Sequence, residues 1–345
     1  MAIGSINPIL GRPTVTAKET ASFRVVTVDG YTTYGPGLGV IDGTKSRDPG
    51  NTGYTLVLRP GTLLAKNATS GKYAPWSIGT LASAYAGAGT TMTVSAASAA
   101  ELARRVGASG TFTLTGADKA GGTVRQRTVT YSSVNTSTGA ITVTALGNVN
   151  QAEQIRFNIA STGGNLQLTV QKTDGTFATT ANIAWNATDA TYLASINSAL
   201  DTATGVVGGI VASAVAGVDT DIALVLTYSG TGYAGLSWTP AVVAVFPTSS
   251  TIASYTPLVA ANGSFTAGSV VSETTFATPI TFVPEDLGVM IPADGVSDTE
   301  SRIPISALVD FAQLLPSPTE TSLRLWVQTQ MSTLPGGKFA FKNAI

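Results

Sequence analysis

The residues able to do chemistry in this 345-residue chain are few, and two of the usual kinds are missing: there is no histidine and no cysteine. A Ser-His-Asp triad, a thiol nucleophile, a disulfide and a histidine- or thiolate-held zinc are therefore excluded. What remains is carboxylates, arginines, hydroxyls and aromatics. "DGVSDTE" gathers Asp294, Asp298 and Glu300. These are the oxygen groups a hard cation takes, but not at calcium-loop spacing, so a solvated loop is expected. Glu285 and Asp286 are adjacent and do not face one site as glycosidase carboxylates do across a sugar; they are expected to cap or solvate a turn. "GTGYAG", Gly230 to Gly235, has the G-x-G-x-x-G spacing of a dinucleotide loop. A strand signal, "LSWTPAVV", follows it where a helix is needed, and no acid occurs before Glu273, so a glycine-rich hairpin turn is expected.

Trp185, Tyr228, Tyr233 and Trp238 lie in one segment, where a sugar-stacking platform competes with core packing, the commoner fate of aromatics. Arg104, Arg105, Arg125 and Arg127 form the densest basic group. In a chain of net charge −1 they read as a solvated face or as contacts to an acidic partner. The sequence thus points to no enzyme, no cofactor, no metal centre and no nucleic-acid partner.

The elements that must carry these residues are mostly strands. Apolar residues make up 43% of the chain and charged residues 11%, less than half the ~25% that is usual. The surface must then be largely hydroxyl, amide and small apolar groups, which suits a protein packed into an assembly. Thr/Val/Ile-rich runs cut by Gly, Asn, Asp and Pro predict a mainly β chain with a few short helices. No basic-then-apolar leader and no apolar run of membrane length is visible, so neither a secretory signal nor a membrane partner is expected.

Four segments follow from the punctuation. Residues 1–80 hold an extended Pro-punctuated arm, Met1 to Thr16, and a hairpin-like β base. Residues 81–150 read as a small β module with one helix, in which Ser98 and Glu101 make a capping-box pattern and Gly107 closes the end. Residues 151–247 read as a second β module, with a turn at Thr173 to Gly175. Its helix has Leu193, Ile196, Ala199 and Leu200 on one face, Thr188 or Asp189 as N-cap and Gly205 as its stop. Residues 248–345 complete the base. There "PISALVDFAQLL" predicts a helix from the spacing of Leu308, Phe311 and Leu315, while "TETSLRLWVQTQM" fits a helix or a strand. From Ile222 to Ser272 no Asp, Glu, Lys or Arg occurs. Buried strands with Ser/Thr loops are the first reading, and a charge-depleted subunit interface is the second.

One stretch carries a resemblance. "LRPGTLLAKNATSGKYAPW", Leu58 to Trp76, resembles the N-terminal hairpin of tailed-phage head decoration proteins, which cap and cement capsid shells. In that family a Pro precedes a small strand, a polar turn ends in Ser/Thr-Gly-Lys, and an aromatic closes the return strand. Pro60, Leu63, Leu64, Ser70, Gly71, Lys72, Tyr73 and Trp76 occupy those places. The resemblance covers about 20 residues closely and residues 1–80 loosely. The chain departs from the family in its length and in the 81–150 and 151–247 modules, which look like β-rich display or spacer modules of phage and bacterial surface proteins. It implies a non-enzymatic virion protein on the exterior of the capsid, assembled in the host cytoplasm, bound to the major capsid protein as a homotrimer. The expected docking residues are Ile6, Pro8, Arg12, Pro60, Leu63, Leu64, Tyr73 and Trp76. The alternative is a tail or fibre component that binds host glycans through the aromatic module.

Overall fold

The computed structural model describes Thr27 and residues 32–147, 149–158, 160–259, 263–284, 288–316, 318–333 and 338–342. The arm residues Ile6, Pro8 and Arg12 and the pair Glu285 and Asp286 lie outside them. Within them the chain is mainly β, with three α-helices: α1 (Ala96–Arg105), α2 (Asp189–Thr204) and α3 (Thr321–Ser332).

The strands form three nested storeys. The base holds a five-stranded sheet in the order Pro279–Phe282, Leu63–Lys66, Tyr73–Pro75, Gly39–Ile41, Thr299–Ser301. Beside it a three-stranded sheet runs Thr33–Tyr34, Pro304–Asp310, Lys338–Lys342. Its core joins Leu63, Trp76, Phe282, Val309 and Phe311 to Leu323, Val327 and Met331 of α3. The middle storey is a six-stranded sheet ordered Gly79–Thr80, Val270–Glu273, Gly110–Gly116, Arg125–Val134, Ala140–Val143, Thr91–Thr93, with α1 packed on it. The distal storey has two four-stranded sheets and α2 around one core, whose buried members all lie between Ile155 and Val243.

The chain leaves the base and the middle storey once each and returns to each once. It departs the middle sheet at Gly147 and comes back at Gly263, whose N–H donates to the Gly147 carbonyl at 3.0 Å. Residues 248–345 accordingly serve all three storeys. Ile252–Val259 is a distal strand, Val270–Glu273 sits inside the middle sheet, and the remainder belongs to the base.

Local sequence explains most elements, with three corrections. Ser95, not Ser98, caps α1: its Oγ accepts the Ser98 N–H at 3.1 Å. Glu101 turns to Arg104 instead of completing a capping box. The expected helix at residues 304–315 is a strand, Pro304–Asp310, followed by a short 3-10 turn at Phe311–Gln313. Ala307, Val309 and Phe311 are the buried set, a period of two, and the parallel partner Lys338–Lys342 satisfies the backbone. The open choice at residues 319–331 resolves as helix α3. Glu320 caps it, and Leu323, Val327 and Met331 fall on one face, with Leu325 exposed.

Candidate functional site

The hairpin that carries the resemblance is built by its own turn chemistry. Pro60 leads into Gly61 at φ 84°, a left-handed corner that a side chain would strain. Leu63–Lys66 then pairs with Tyr73–Pro75. The tip is an Asx turn in which Asn67 Oδ1 accepts from Thr69 and Ser70, and Gly71 takes φ 71°. Leu63, Leu64 and Trp76 are 0% exposed, and Pro60 is also buried. These four cannot touch a partner surface in this fold, which corrects the expectation that they supply docking contacts. They anchor the base instead. Trp76 donates its indole N–H to the Ala277 carbonyl at 2.8 Å and lies 6.0 Å from the Trp326 ring. Tyr73 is half-buried beneath Lys66. The face that remains outward is Lys66 and the Ala68–Gly71 tip. Lys72 beside it pairs with Asp298 at 2.6 Å; that hydrogen bond raises the lysine pKa and lowers the aspartate's.

Buried charges of the middle storey carry the contacts that tie it to its neighbours. At the base–middle junction the Arg105 side chain is fully buried. It donates to Glu273 at 3.2 Å and to the Pro75 carbonyl at 3.0 Å. Lys45 reaches the same Glu273 carboxylate at 2.9 Å and the Arg105 carbonyl at 2.6 Å. Burial lowers the Arg105 pKa, and Glu273 opposes that shift. At the middle–distal junction Arg125 pairs with Asp118, whose Oδ2 also accepts the Ser237 N–H at 2.5 Å. Lys119 lies 3.0 Å above the Trp238 ring centroid, its pKa pushed down to about 8 by burial, with Asp118 acting against this. Arg104 chelates Glu101. The expectation of a solvated basic face is thereby corrected for Arg105 and Arg125, while Arg104 and Arg127 stay partly exposed. Arg105 and Arg125 are interior ties, a role that sequence reasoning missed because Glu273 and Ser237 lie more than a hundred residues from their partners.

A cleft of about 240 Å³ opens between base and middle storeys beside Arg47, Asp48, Arg59, Ser95, Ser98 and Pro316. Its charged groups are already engaged: Arg59 grips Asp48 in a two-pronged bond at 2.6 and 3.0 Å, and Arg47 donates to the carbonyls of Gly43, Ser46 and Gly295. The distal aromatics form core, not platform. Tyr228 and Tyr233 are 0% exposed and Trp238 is 6%, with their rings in mutual contact; Trp185 packs at the core's edge. Gly230–Gly235 is a turn, but the strands on either side, Ala223–Tyr228 and Val242–Val245, sit in different sheets, so it is a crossover and not a hairpin. Gly230 is wedged against the Gly208 and Gly209 backbone, where a Cβ would lie 2.4 Å from a carbonyl oxygen. In the loop at 294–300, Asp294 caps Val296 and Ser297, and Asp298 is taken by Lys72 and the Gly43 N–H.

The charge-free run has two sides. Leu224, Leu226, Tyr228 and Val243 are buried, whereas Val242, Val245, Phe246 and Ile252 are exposed. Among the described residues no group of three or more acidic side chains gathers at metal-binding spacing, and no helix is long and apolar enough to cross a membrane. Comparison with known proteins gives no match from any family model, curated protein or solved structure.

Proposed function

We propose that this chain is a structural virion protein that binds the outer surface of a tailed-phage capsid and cements it, as a homotrimer contacting the major capsid protein. The observation that carries the reading is the nesting. The base sheet draws its strands from residues 39–75 and 279–301, so both flanks of the chain close one platform, and everything between is an excursion carried by it. That is the layout of an anchor with a load. The decoration-like hairpin is the centre of the anchor, held by Trp76 and the Pro60–Gly61 corner. Charges are engaged in ion pairs at the storey junctions, leaving a hydroxyl-rich and partly apolar exterior suited to a crowded assembly. Modest affinity per copy, repeated over a shell, stabilises it by mass action.

With Leu63, Leu64 and Trp76 inside, contact with the shell falls to the arm residues Ile6, Pro8 and Arg12, to Tyr73 and to the exposed hairpin tip. The test is co-sedimentation with shells assembled from the major capsid protein of the same virus. Intact protein is expected to saturate the shells, and a variant lacking Met1 to Thr16 is expected to bind at least tenfold more weakly. Failure of the intact protein to sediment with shells overturns the proposal, and equal saturation by both removes the arm from it. The glycan-binding alternative has lost the aromatic platform on which it rested.

A further inference from the structure

The distal storey keeps its sheets and its core to itself. Both of its sheets and all of its buried core come from residues 152–259, whereas the middle core is drawn from residues 78–143 with Phe265 and Val271. Among the described residues the two cores share no member. Units joined without a large apolar interface move relative to each other unless something specific holds them. The covalent connection is narrow. The chain crosses beside Gly147, at φ 82°, and beside Gly263, where a Cβ would lie 2.5 Å from the Gly147 carbonyl oxygen. Residues with this backbone freedom can absorb the rotation of a hinge.

The contacts that set the pose gather on the loop between Gly110–Gly116 and Arg125–Val134. The Asp118 side chain is fully buried, and its Oδ2 accepts the Ser237 N–H at 2.5 Å. Arg125 donates through Nη1 to the same Asp118 oxygen at 3.2 Å and to Ser237 Oγ at 3.0 Å, and through Nη2 to the Ser264 carbonyl at 2.6 Å. Lys119 Nζ is buried without a hydrogen-bond acceptor, and the face of Trp238 takes that place, 3.0 Å from the ring centroid. Trp238 is rooted in the distal core. Its ring lies against Tyr228 and Tyr233, and its backbone N–H and carbonyl are both bonded by the Gln151 side chain. The same loop is pinned to the base. The Gly121 N–H donates at 3.0 Å to Glu320, the cap of α3, and Val124 packs on the base core.

We infer that the distal storey is a swinging arm held in one pose by a latch, in which Asp118, Lys119 and Arg125 grip Ser237 and Trp238. Opening the latch frees the arm to turn about Gly147 and Gly263 while each storey stays folded. The arm keeps its fold because its core is its own and because Trp238 remains held by Gln151 and the Tyr233 carbonyl. With the latch loop pinned to α3, the latched pose is fixed relative to the base as well as to the middle storey. The inference does not depend on the capsid proposal.

The absence of cysteine makes the pose measurable, because two introduced cysteines label specifically. Full-length protein carrying Thr136→Cys in the middle storey and Val207→Cys in the distal storey, both exposed positions, is spin-labelled and diluted into unlabelled protein. The distance distribution between the labels is read by double electron–electron resonance. A single narrow distribution is expected. Asp118→Ala should broaden it at least about twofold, and Lys119→Ala should broaden it less, both with cooperative melting and near-ultraviolet dichroism retained. A purely structural role would lower the melting temperature and leave the width unchanged. A broad distribution in the protein with its latch intact, or a folded Asp118→Ala variant as narrow as its parent, overturns the latch. Should Asp118→Ala fail to melt cooperatively, Lys119→Ala decides alone, and an unchanged width there overturns it.

Discussion

The middle and distal storeys are built from the same parts, β-sheets with one helix against them, yet they close their cores differently. The distal core is made wholly from one continuous stretch, residues 155–243. The middle core spans Ile78 to Val143 but also needs Phe265 and Val271, and its Gly110–Gly116 strand has Val270–Glu273 as its neighbour on one side. One storey is a self-contained insertion, and the other is spliced from two segments separated by more than a hundred residues. Independence follows from where the core residues come from, not from the number of strands or helices.

The sharpest way to break this comparison is by deletion. Joining Gly147 to Gly263 through a short linker removes the distal storey at two points already hydrogen-bonded to each other. The remaining protein should melt in one cooperative transition, as followed by circular dichroism. Removing 81–146 instead should abolish the cooperative transition of the base and leave only that of the distal storey, because Val270–Glu273 would lose its partner strand and the base its Arg105 tie at the Pro75 carbonyl. If the first deletion also fails to fold, the distal storey is not independent.

The next effect is at the splice itself. Glu273→Ala leaves Arg105 charged in a fully buried position and should cost about 3–5 kcal/mol in urea unfolding. Trp76→Ala should cost a similar ~3–5 kcal/mol by opening the base core.

A third difference is in pH. Burial raises the Glu153 pKa to about 7, with Ala241 and Tyr228 opposing. Its folded value is therefore above the ordinary 4.5, so the folded state holds the proton more tightly than the unfolded one. The associated stability is present at low pH and is lost as pH rises from about 4.5 through 7. The distal melting temperature should fall over that window, and Glu153→Gln should flatten the fall. An unchanged slope in Glu153→Gln would assign the pH dependence to another group.

The smallest effect separates the two helices. Ser95 caps α1 through its side chain, whereas Thr188, at the N-cap of α2, makes no side-chain capping bond. Ser95→Ala should cost about 1 kcal/mol. Thr188→Ala should cost measurably less, and equal losses would deny the distinction.

What the sequence alone determined is what short-range chemistry controls. The β class, the α2 span with Gly205 in its left-handed stop and the Asp174 turn all follow from propensity, glycine conformation and side-chain-to-backbone bonds within a few residues. The missing histidines and cysteines removed whole classes of chemistry before any coordinate was needed. The tertiary structure alone decided the rest. Pro304–Asp310 became a strand because Lys338–Lys342 lies beside it, and a partner nearly thirty residues away leaves no local mark. Leu63, Leu64 and Trp76 look the same in sequence whether they face a partner or a core; α3 and Phe282 cover Leu63 and Trp76, and Ile41, Val283 and Ile291 cover Leu64. The arginines became ties only when distant segments were brought together. Burial and charge pairing act through space, so a pattern along the chain registers them only where the partner is also a sequence neighbour.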